Sequence, residues 1–166
     1  MKVCTIPVTP YEQNCSLVWC EKTREAALVD PGGDVARLKA AIEDQGVTLT
    51  KILLTHGHMD HVGGTAEVSS HYGVPIIGPH KADDFWINAL EEQSRMMGFP
   101  AGGPFEPTQW LNDGDTVTVG ELSLSVHHCP GHTPGHVVFF HEPSRLAFVG
   151  DVLFQGSIGR TDFLRG

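Results

Sequence analysis

The chain has 166 residues, of which 40% are hydrophobic and 19% charged, and this composition excludes an intrinsically disordered protein. We expect it to fold as a single domain over residues 1–166. Its 20 acidic residues against 11 Lys and Arg give a net charge of −9, which disfavours binding to nucleic acid or to an anionic membrane. A small-molecule partner is therefore expected.

The sequence predicts neither export nor membrane insertion. It contains no run of 18 or more apolar residues, and the first 20 residues lack the charged and then apolar pattern of a secretory signal. The four cysteines form no C-x-x-C pair and are too few for a disulfide framework in a chain of this size. A cytoplasmic location is therefore expected.

The first half of the chain predicts strands that later alternate with helices. Apolar runs predict strands at 1–8, 15–20, 26–29, 51–54 and 74–77. Periodic apolar residues predict helices at 35–46, 65–72 and 83–97. Asp34 is expected to cap the first of these helices. The strand at 51–54 has no polar alternation, as expected of a strand buried on both faces, and it leads directly into His56.

The second half predicts a loop and then four strands. Residues 98–107 contain three Pro and three Gly, which is typical of a loop that either covers a site or merely connects. Strands are predicted at 116–119, 122–127, 136–140 and 146–149. After Phe154 the sequence is loop-like and lacks a closing helix. Two strand-rich halves separated by helices predict an α/β fold with two sheets packed face to face and helices outside.

Three imidazoles and a carboxylate fall within six residues just after the strand at 51–54. These side chains are His56, His58, Asp60 and His61. Divalent metals such as Zn²⁺ prefer imidazole and carboxylate ligands. Without a cation, several imidazoles in mutual contact would have little to hold them together. The motif therefore predicts a metal site, and its spacing allows one strand end to serve two adjacent cations.

Two later turns offer the further ligands that such a site needs. His132 lies in a turn that contains two Pro and two Gly, which fix the backbone and permit close approach. Asp151 follows Gly150 at the end of an apolar strand. Taken alone, this aspartate would more often be a helix cap or a turn residue. Beside the first motif, a role as a ligand is favoured.

Together the three motifs resemble successive motifs of the metallo-β-lactamase superfamily. They cover residues 56–61, 131–136 and 149–151. Residues 156–162 further resemble the glyoxalase II-like branch, the hydroxyacylglutathione hydrolases. The resemblance implies an α/β fold of the αββα sandwich type, in which two mixed sheets pack face to face with outer helices.

The resemblance also implies two metal sites. For one metal the implied ligands are His56, His58 and His132, and for a second metal they are Asp60 and His61. The carboxylate of Asp151 is implied to bridge the two metals. The expected cofactor is Zn²⁺, as one or two ions, with Fe or Mn as alternatives. The seventh ligand of the family, a histidine, lies beyond the region that matches Asp151. A truncated C-terminal end is favoured over a weakly bound second metal.

The implied reaction is hydrolysis of a thioester by metal-bound hydroxide. Two cations lower the pKa of a bound water toward about 7, so that hydroxide can attack the carbonyl of S-lactoylglutathione or a related acyl thiol. Asp60 would orient this hydroxide as the catalytic residue. Arg160 would bind a glutathione carboxylate through a bidentate contact, or would simply pair with Asp162.

Two other functions stay open at this stage. Persulfide dioxygenases resemble the chain over 159–163 and use one iron at the positions matching His56, His132 and Asp151. The sequence over 156–160 favours the hydrolase. A module that binds a metal or a partner without catalysis is the remaining possibility.

The remaining histidines fall into two groups. Candidates for orienting the ligands are His127, His128 and His136, of which at least one is expected to face solvent. Surface positions are expected for His71, His80 and His141.

Overall fold

The computed structural model describes residues 1–100 and 102–163. Parts of two predicted loops therefore lie outside the described residues, namely Ala101 within 98–107 and the last three residues of the chain. The described residues form two larger sheets and a small hairpin, with helices on one side.

The first sheet takes its strands from the first half of the chain. In spatial order they are β1 (Lys2–Val8), β2 (Gln13–Trp19), β3 (Glu25–Val29), β4 (Thr48–Leu53) and β5 (Ile76–Ile77). The first three strands pair antiparallel, whereas β3, β4 and β5 pair parallel. Parallel neighbours need crossover connections, and the helices between them supply these. The sheet is therefore mixed, as predicted.

Helices cover one face of this sheet. They are α1 (Val35–Gln45), α2 (Met59–Val62), α3 (Thr65–Tyr72), α4 (Asp84–Asn88) and α5 (Leu90–Met97). All five contribute apolar side chains to one core cluster with the first sheet. The predicted stripe of Val35, Leu38 and Ile42 is buried in that cluster, because it is the face that α1 turns toward the strands.

Two local predictions in the helical region are wrong. Asp34 does not cap α1 with its side chain, because its carboxylate instead accepts a hydrogen bond of 2.8 Å from the backbone N–H of Thr9. The helix predicted over 83–97 is interrupted at Ala89, so that α4 and α5 are separate. The side-chain amide of Gln93 stabilises the break by donating a hydrogen bond of 2.7 Å to the carbonyl of Trp86.

The second sheet is a meander of four antiparallel strands. They are β6 (Thr116–Val119), β7 (Leu122–His128), β8 (Val137–His141) and β9 (Leu146–Phe148). All four were predicted from the apolar pattern. A short hairpin of β10 (Leu153–Phe154) and β11 (Ser157–Ile158) follows, and β11 lies in the segment after Phe154 that the sequence predicted as loop.

The two sheets pack face to face through a second core cluster. It joins Val18, Ala27 and Leu53 of the first sheet to Leu124 and Phe139 of the second. The α/β arrangement predicted from the sequence is therefore confirmed. None of the five α-helices within 1–100 and 102–163 lies on the outer face of the second sheet, since all of them belong to the cluster with the first.

Among the residues that the structure describes, no helix has the length and apolar character needed to cross a bilayer.

Truncating Leu124 to Ala is expected to lower the free energy of unfolding by about 2–5 kcal/mol, because the side chain is fully buried between the sheets. Leu146→Ala is the matched control, since Leu146 is exposed, and its expected effect is about 0.5 kcal/mol or less. Urea unfolding measures both variants. Equal losses would contradict packing between the sheets as a main source of stability.

Candidate metal centre

The candidate site lies where three loops meet at the ends of strands from both sheets. The motif from His56 to His61 follows β4, His132 lies in the turn between β7 and β8, and Asp151 follows β9. Because the two sheets pack face to face, loops that are distant in sequence come together here. The structure brings all six predicted ligand side chains into one group.

The first subgroup consists of three buried imidazoles. The Nδ1 atom of His58 lies 3.1 Å from Nε2 of His132. The ring of His56 has its centroid 4.9 Å from that of His58 and 5.1 Å from that of His132. One nitrogen from each ring lies within 4.8 Å of the others. Three nitrogens at this separation can converge on a single cation.

His56 provides the test of whether a cation fits this subgroup. Its side chain is fully buried, and its Nε2 atom has no hydrogen-bond partner among the described residues. A buried polar atom without a partner is costly and calls for an explanation such as an ion. The Nδ1 atom of the same ring is 3.0 Å from the hydroxyl of Thr55, so that Nε2 is the nitrogen available to a metal. The donor set therefore fits a divalent cation.

The second subgroup consists of one carboxylate and one imidazole, those of Asp60 and His61. Asp151 lies between the subgroups, with Oδ1 at 3.1 Å from Nε2 of His61 and Oδ2 at 3.3 Å from Nε2 of His132. The Oδ2 atom of Asp60 lies 3.6 Å from Nε2 of His61. The carboxylate of Asp151 is therefore within reach of ring nitrogens in both subgroups.

Burial keeps two imidazoles of the first subgroup, those of His56 and His58, neutral. It lowers the pKa of His58 to about 3, and it holds the pKa of His56 well below its ordinary value. Neighbouring imidazoles act in the same direction. Neutral imidazole is the form that binds metals, so these side chains are ready as ligands without losing a proton.

The second subgroup favours positive charge. Burial acts to lower the pKa of His61, but hydrogen bonds to Asp151 and Asp30 outweigh it and raise this pKa to about 10. Burial acts to raise the pKa of Asp151, but His132 and His61 outweigh it and hold that pKa below its usual range. Burial raises the pKa of Asp60. Carboxylates gathered around His61 would stabilise a cation at this point of the site.

Asp30 supports the ligands, and the sequence interpretation missed this role. Its buried carboxylate lies 2.9 Å from Nδ1 of His61, and it accepts hydrogen bonds from the backbone N–H of Thr55 at 2.8 Å and from its hydroxyl at 2.6 Å. Since Thr55 also contacts His56, one carboxylate orients ligands of both subgroups. The available signal was an aspartate directly after the strand predicted at 26–29.

The burial of the other histidines differs in part from the sequence expectation. His136 is fully buried, stacks on His56 with ring centroids 4.5 Å apart, and accepts a hydrogen bond from the backbone N–H of Asp151. His127 is exposed, as expected of at least one strand histidine. The surface position predicted for His141 is wrong, because its side chain is buried and lies 2.7 Å from the hydroxyl of Ser144.

Two further predicted surface histidines differ from each other. His71 is exposed, as expected. His80 is only half-buried, because its ring stacks against that of His128 with centroids 4.3 Å apart. The Nε2 atom of His128 lies 2.8 Å from the carbonyl oxygen of Pro134, so this pair supports the turn that carries His132.

Aromatic rings cover the site on one side. The ring of Trp86 lies edge-on to His58 at 4.7 Å, and that of Phe163 lies edge-on to His58 at 4.9 Å and to His132 at 5.2 Å. On the side of the second subgroup is a cavity of about 590 Å³, whose lining includes Tyr11, Gln13, Asp60, His61, Asp151 and Phe154. A substrate would therefore approach from the side of the second subgroup.

Arg160 is paired in the structure with Asp162. Its guanidinium donates two hydrogen bonds of 2.6 Å to that carboxylate and lies over the ring of Phe163. The pairing alternative of the sequence interpretation is thus the observed state. The backbone carbonyl of Arg160 also lies 2.9 Å from Nδ1 of His132, which ties this loop to the site.

Buried imidazoles and carboxylates at the ends of strands in a two-sheet α/β fold define a metal-binding protein. A family model described as the metallo-beta-lactamase superfamily matches residues 8–166. The chain belongs to this superfamily.

Relatives within the superfamily carry several activities in their names. The chain is 45% identical to the hydroxyacylglutathione hydrolase GloC of Haemophilus influenzae, over all of this chain and 78% of that protein. It is similar to the crystal structure of the BLEG-1 B3 metallo-beta-lactamase, with a TM-score of 0.89 and 35% identity over 99% of this chain and 79% of that one. It is also similar to TTHA1623 in a di-iron-bound form, with a TM-score of 0.87 and 33% identity over 96% and 77% of the two chains.

Removing divalent cations with a chelator is expected to lower the melting temperature, and adding Zn²⁺ to restore it. An ion that binds only the folded state stabilises it by about 2.7 kcal/mol at roughly a hundredfold excess over its Kd. His56→Ala should abolish the response, whereas His71→Ala, at an exposed position, should retain it. Thermal melts measure all three proteins. A wild-type melting temperature that ignores the cation would contradict the site.

Proposed function

We propose that this protein is a metal-dependent thioester hydrolase of the glyoxalase II type, acting on S-lactoylglutathione or a related acyl thiol. The observation that carries the proposal is the position of Asp151 between two adjacent subgroups of metal-binding side chains. The name of the relative at 45% identity, a hydroxyacylglutathione hydrolase, supports the same reaction class.

The proposed ligands are those that the geometry groups together. They are His56, His58 and His132 for one metal, Asp60 and His61 for a second, and Asp151 between them. Zn²⁺ is the proposed ion, with Fe or Mn as alternatives, and the similarity to a di-iron-bound protein keeps iron among them. Bound divalent cations would act as Lewis acids, which lower the pKa of a bound water toward neutral pH and polarise a carbonyl.

Asp60 is the proposed catalytic residue. Its carboxylate lies at the edge of the cavity, 3.6 Å from His61 and only partly exposed. A carboxylate in this position accepts a hydrogen bond from the attacking water. This contact orients a lone pair of the water toward the substrate carbonyl. The aromatic rings of Trp86 and Phe163 shield His58 from solvent.

Arg160 is the proposed contact for a carboxylate of the thiol carrier. The ion pair with Asp162 is on the surface, where such pairs are weak and are exchanged readily for another carboxylate. The loop of Arg160 is held beside His132 by its backbone carbonyl. A glutathione carboxylate that replaced Asp162 would therefore lie close to the ligands.

The second candidate is the iron-dependent persulfide dioxygenase, which would need only His56, His132 and Asp151. Asp60 and His61 form a second subgroup beside these residues, and this favours the two-metal hydrolase. Measured metal content together with oxygen consumption on glutathione persulfide separates the two activities. Oxygen uptake without thioester hydrolysis would replace the proposal with the dioxygenase.

His58→Ala and Asp151→Ala are each expected to lower thioesterase activity by roughly a thousandfold or more and to reduce the bound metal, because each change removes a proposed ligand. Hydrolysis of S-lactoylglutathione and elemental analysis measure the two effects, and circular dichroism should show that most of the fold is kept. The matched controls are His71→Ala and Asp44→Ala at exposed positions. Full turnover in either ligand variant would refute the assignment.

Arg160→Ala is expected to raise the KM for S-lactoylglutathione about tenfold and to leave kcat nearly unchanged, because a charged hydrogen bond to the carrier is lost. Arg160→Lys should be intermediate, since it keeps the charge without the bidentate geometry. Arg95→Ala, on the exposed side of α5, is the control. An unchanged KM would show that the guanidinium of Arg160 does not contact the thiol carrier.

A further inference from the structure

Asp83 forms a link between the two turns that carry the first subgroup of imidazoles. It is fully buried directly before α4, and none of the sequence motifs includes it. Its carboxylate accepts hydrogen bonds from the backbone N–H of Gly57 at 2.8 Å, from the hydroxyl of Thr133 at 2.7 Å and from the backbone N–H of Gly135 at 2.6 Å.

The three donors occupy informative positions. Gly57 stands between His56 and His58, and Thr133 directly follows His132. One carboxylate therefore holds the backbone of both turns from which the three imidazoles of the first subgroup project. The two carboxylate oxygens accept different hydrogen bonds. Oδ2 accepts those from Gly57 and Thr133, and Oδ1 accepts the one from Gly135.

The glycines show how closely the two turns approach Asp83. A β-carbon at Gly135 would lie 2.5 Å from the backbone nitrogen of Asp83 and 2.7 Å from its Oδ1. A β-carbon at Gly57 would lie 3.1 Å from the carbonyl oxygen of Asp83 and 2.7 Å from the β-carbon of Trp86. Neither turn has room for a side chain at these points, so both turns pack directly against the segment from Asp83 to Trp86.

We propose that Asp83 is a positioning residue that sets the affinity of the first subgroup for its metal. By fixing the turn of His56 and His58 against the turn of His132, it holds three imidazoles in the arrangement that binds a cation before the cation arrives. Preorganised ligands bind more tightly because less conformational entropy is lost on binding. The proposal rests on the proposed function only in taking this subgroup to bind a metal.

Asp83→Asn tests the proposal with little change in side-chain volume. An amide presents one acceptor and one NH₂ group, so at least one of the present donors would face another donor. The expected result is a Kd for Zn²⁺ that is about 10- to 100-fold higher, which is the usual effect of changing a group that orients metal ligands through hydrogen bonds. Competition of the metal-free protein against a chromogenic chelator measures this Kd, and circular dichroism confirms folding.

A second pair of variants tests the same link with less risk to folding. Thr133→Val replaces a buried hydroxyl by a methyl group, and it should raise the Kd for Zn²⁺ about threefold to tenfold through the lost hydrogen bond. Thr133→Ser keeps the hydroxyl and should restore most of the affinity. The visible spectrum of bound Co²⁺ should change in Thr133→Val and not in Thr133→Ser, since it reports ligand geometry.

The outcomes separate this proposal from the proposed function. Metal affinity is measured without any thioester, so a wild-type protein that binds Zn²⁺ but hydrolyses no thioester would refute the hydrolase and leave the role of Asp83 standing. A folded Asp83→Asn variant with the wild-type Kd for Zn²⁺ would overturn the role of Asp83. Equal affinity losses in Thr133→Val and Thr133→Ser would overturn it as well, because the hydroxyl would then be irrelevant.

Discussion

Several imidazoles share a small buried volume, and the rest of the site depends on how the protein holds them there. His58 and His132 bring two ring nitrogens within 3.1 Å of each other, and such a pair must share either a proton or a cation. Burial holds the pKa of His58 at about 3, which makes protonation of that ring unfavourable near neutral pH. A divalent cation would accept the lone pairs of both ring nitrogens in place of a proton, and it would also give the unpartnered nitrogen of His56 a ligand bond.

Two buried carboxylates fix the imidazoles from behind. Asp30 joins the end of β3 to Thr55 and His61, and Asp83 joins the helical region to the turns on both sides of the first subgroup. Each carboxylate therefore links segments that are distant along the chain. This arrangement lets short loops from two sheets act as a rigid set of ligands, as metal affinity requires.

Much of the fold followed from local patterns, and the exceptions have identifiable causes. Apolar periodicity predicted α1 and the four strands of the second sheet, since these elements bury one regular face. The side chain of Asp34 could not be assigned from sequence, because its partner Thr9, directly after β1, lies 25 residues away along the chain. The break at Ala89 involves a side-chain contact that apolar periodicity does not record, because the amide of Gln93 donates to the carbonyl of Trp86, seven residues earlier.

The sequence by itself determined the kinds of ligand and their grouping along the chain, because imidazoles and carboxylates at the spacing from His56 to His61 have little other use in a core. Tertiary structure alone decided which carboxylates support these side chains through hydrogen bonds. The contacts of Asp83 span 26 residues to Gly57 and 52 residues to Gly135, and no periodicity in the sequence records such a pairing. Local patterns encode what an element buries, whereas the partner of a buried carboxylate is set by how the sheets and helices pack.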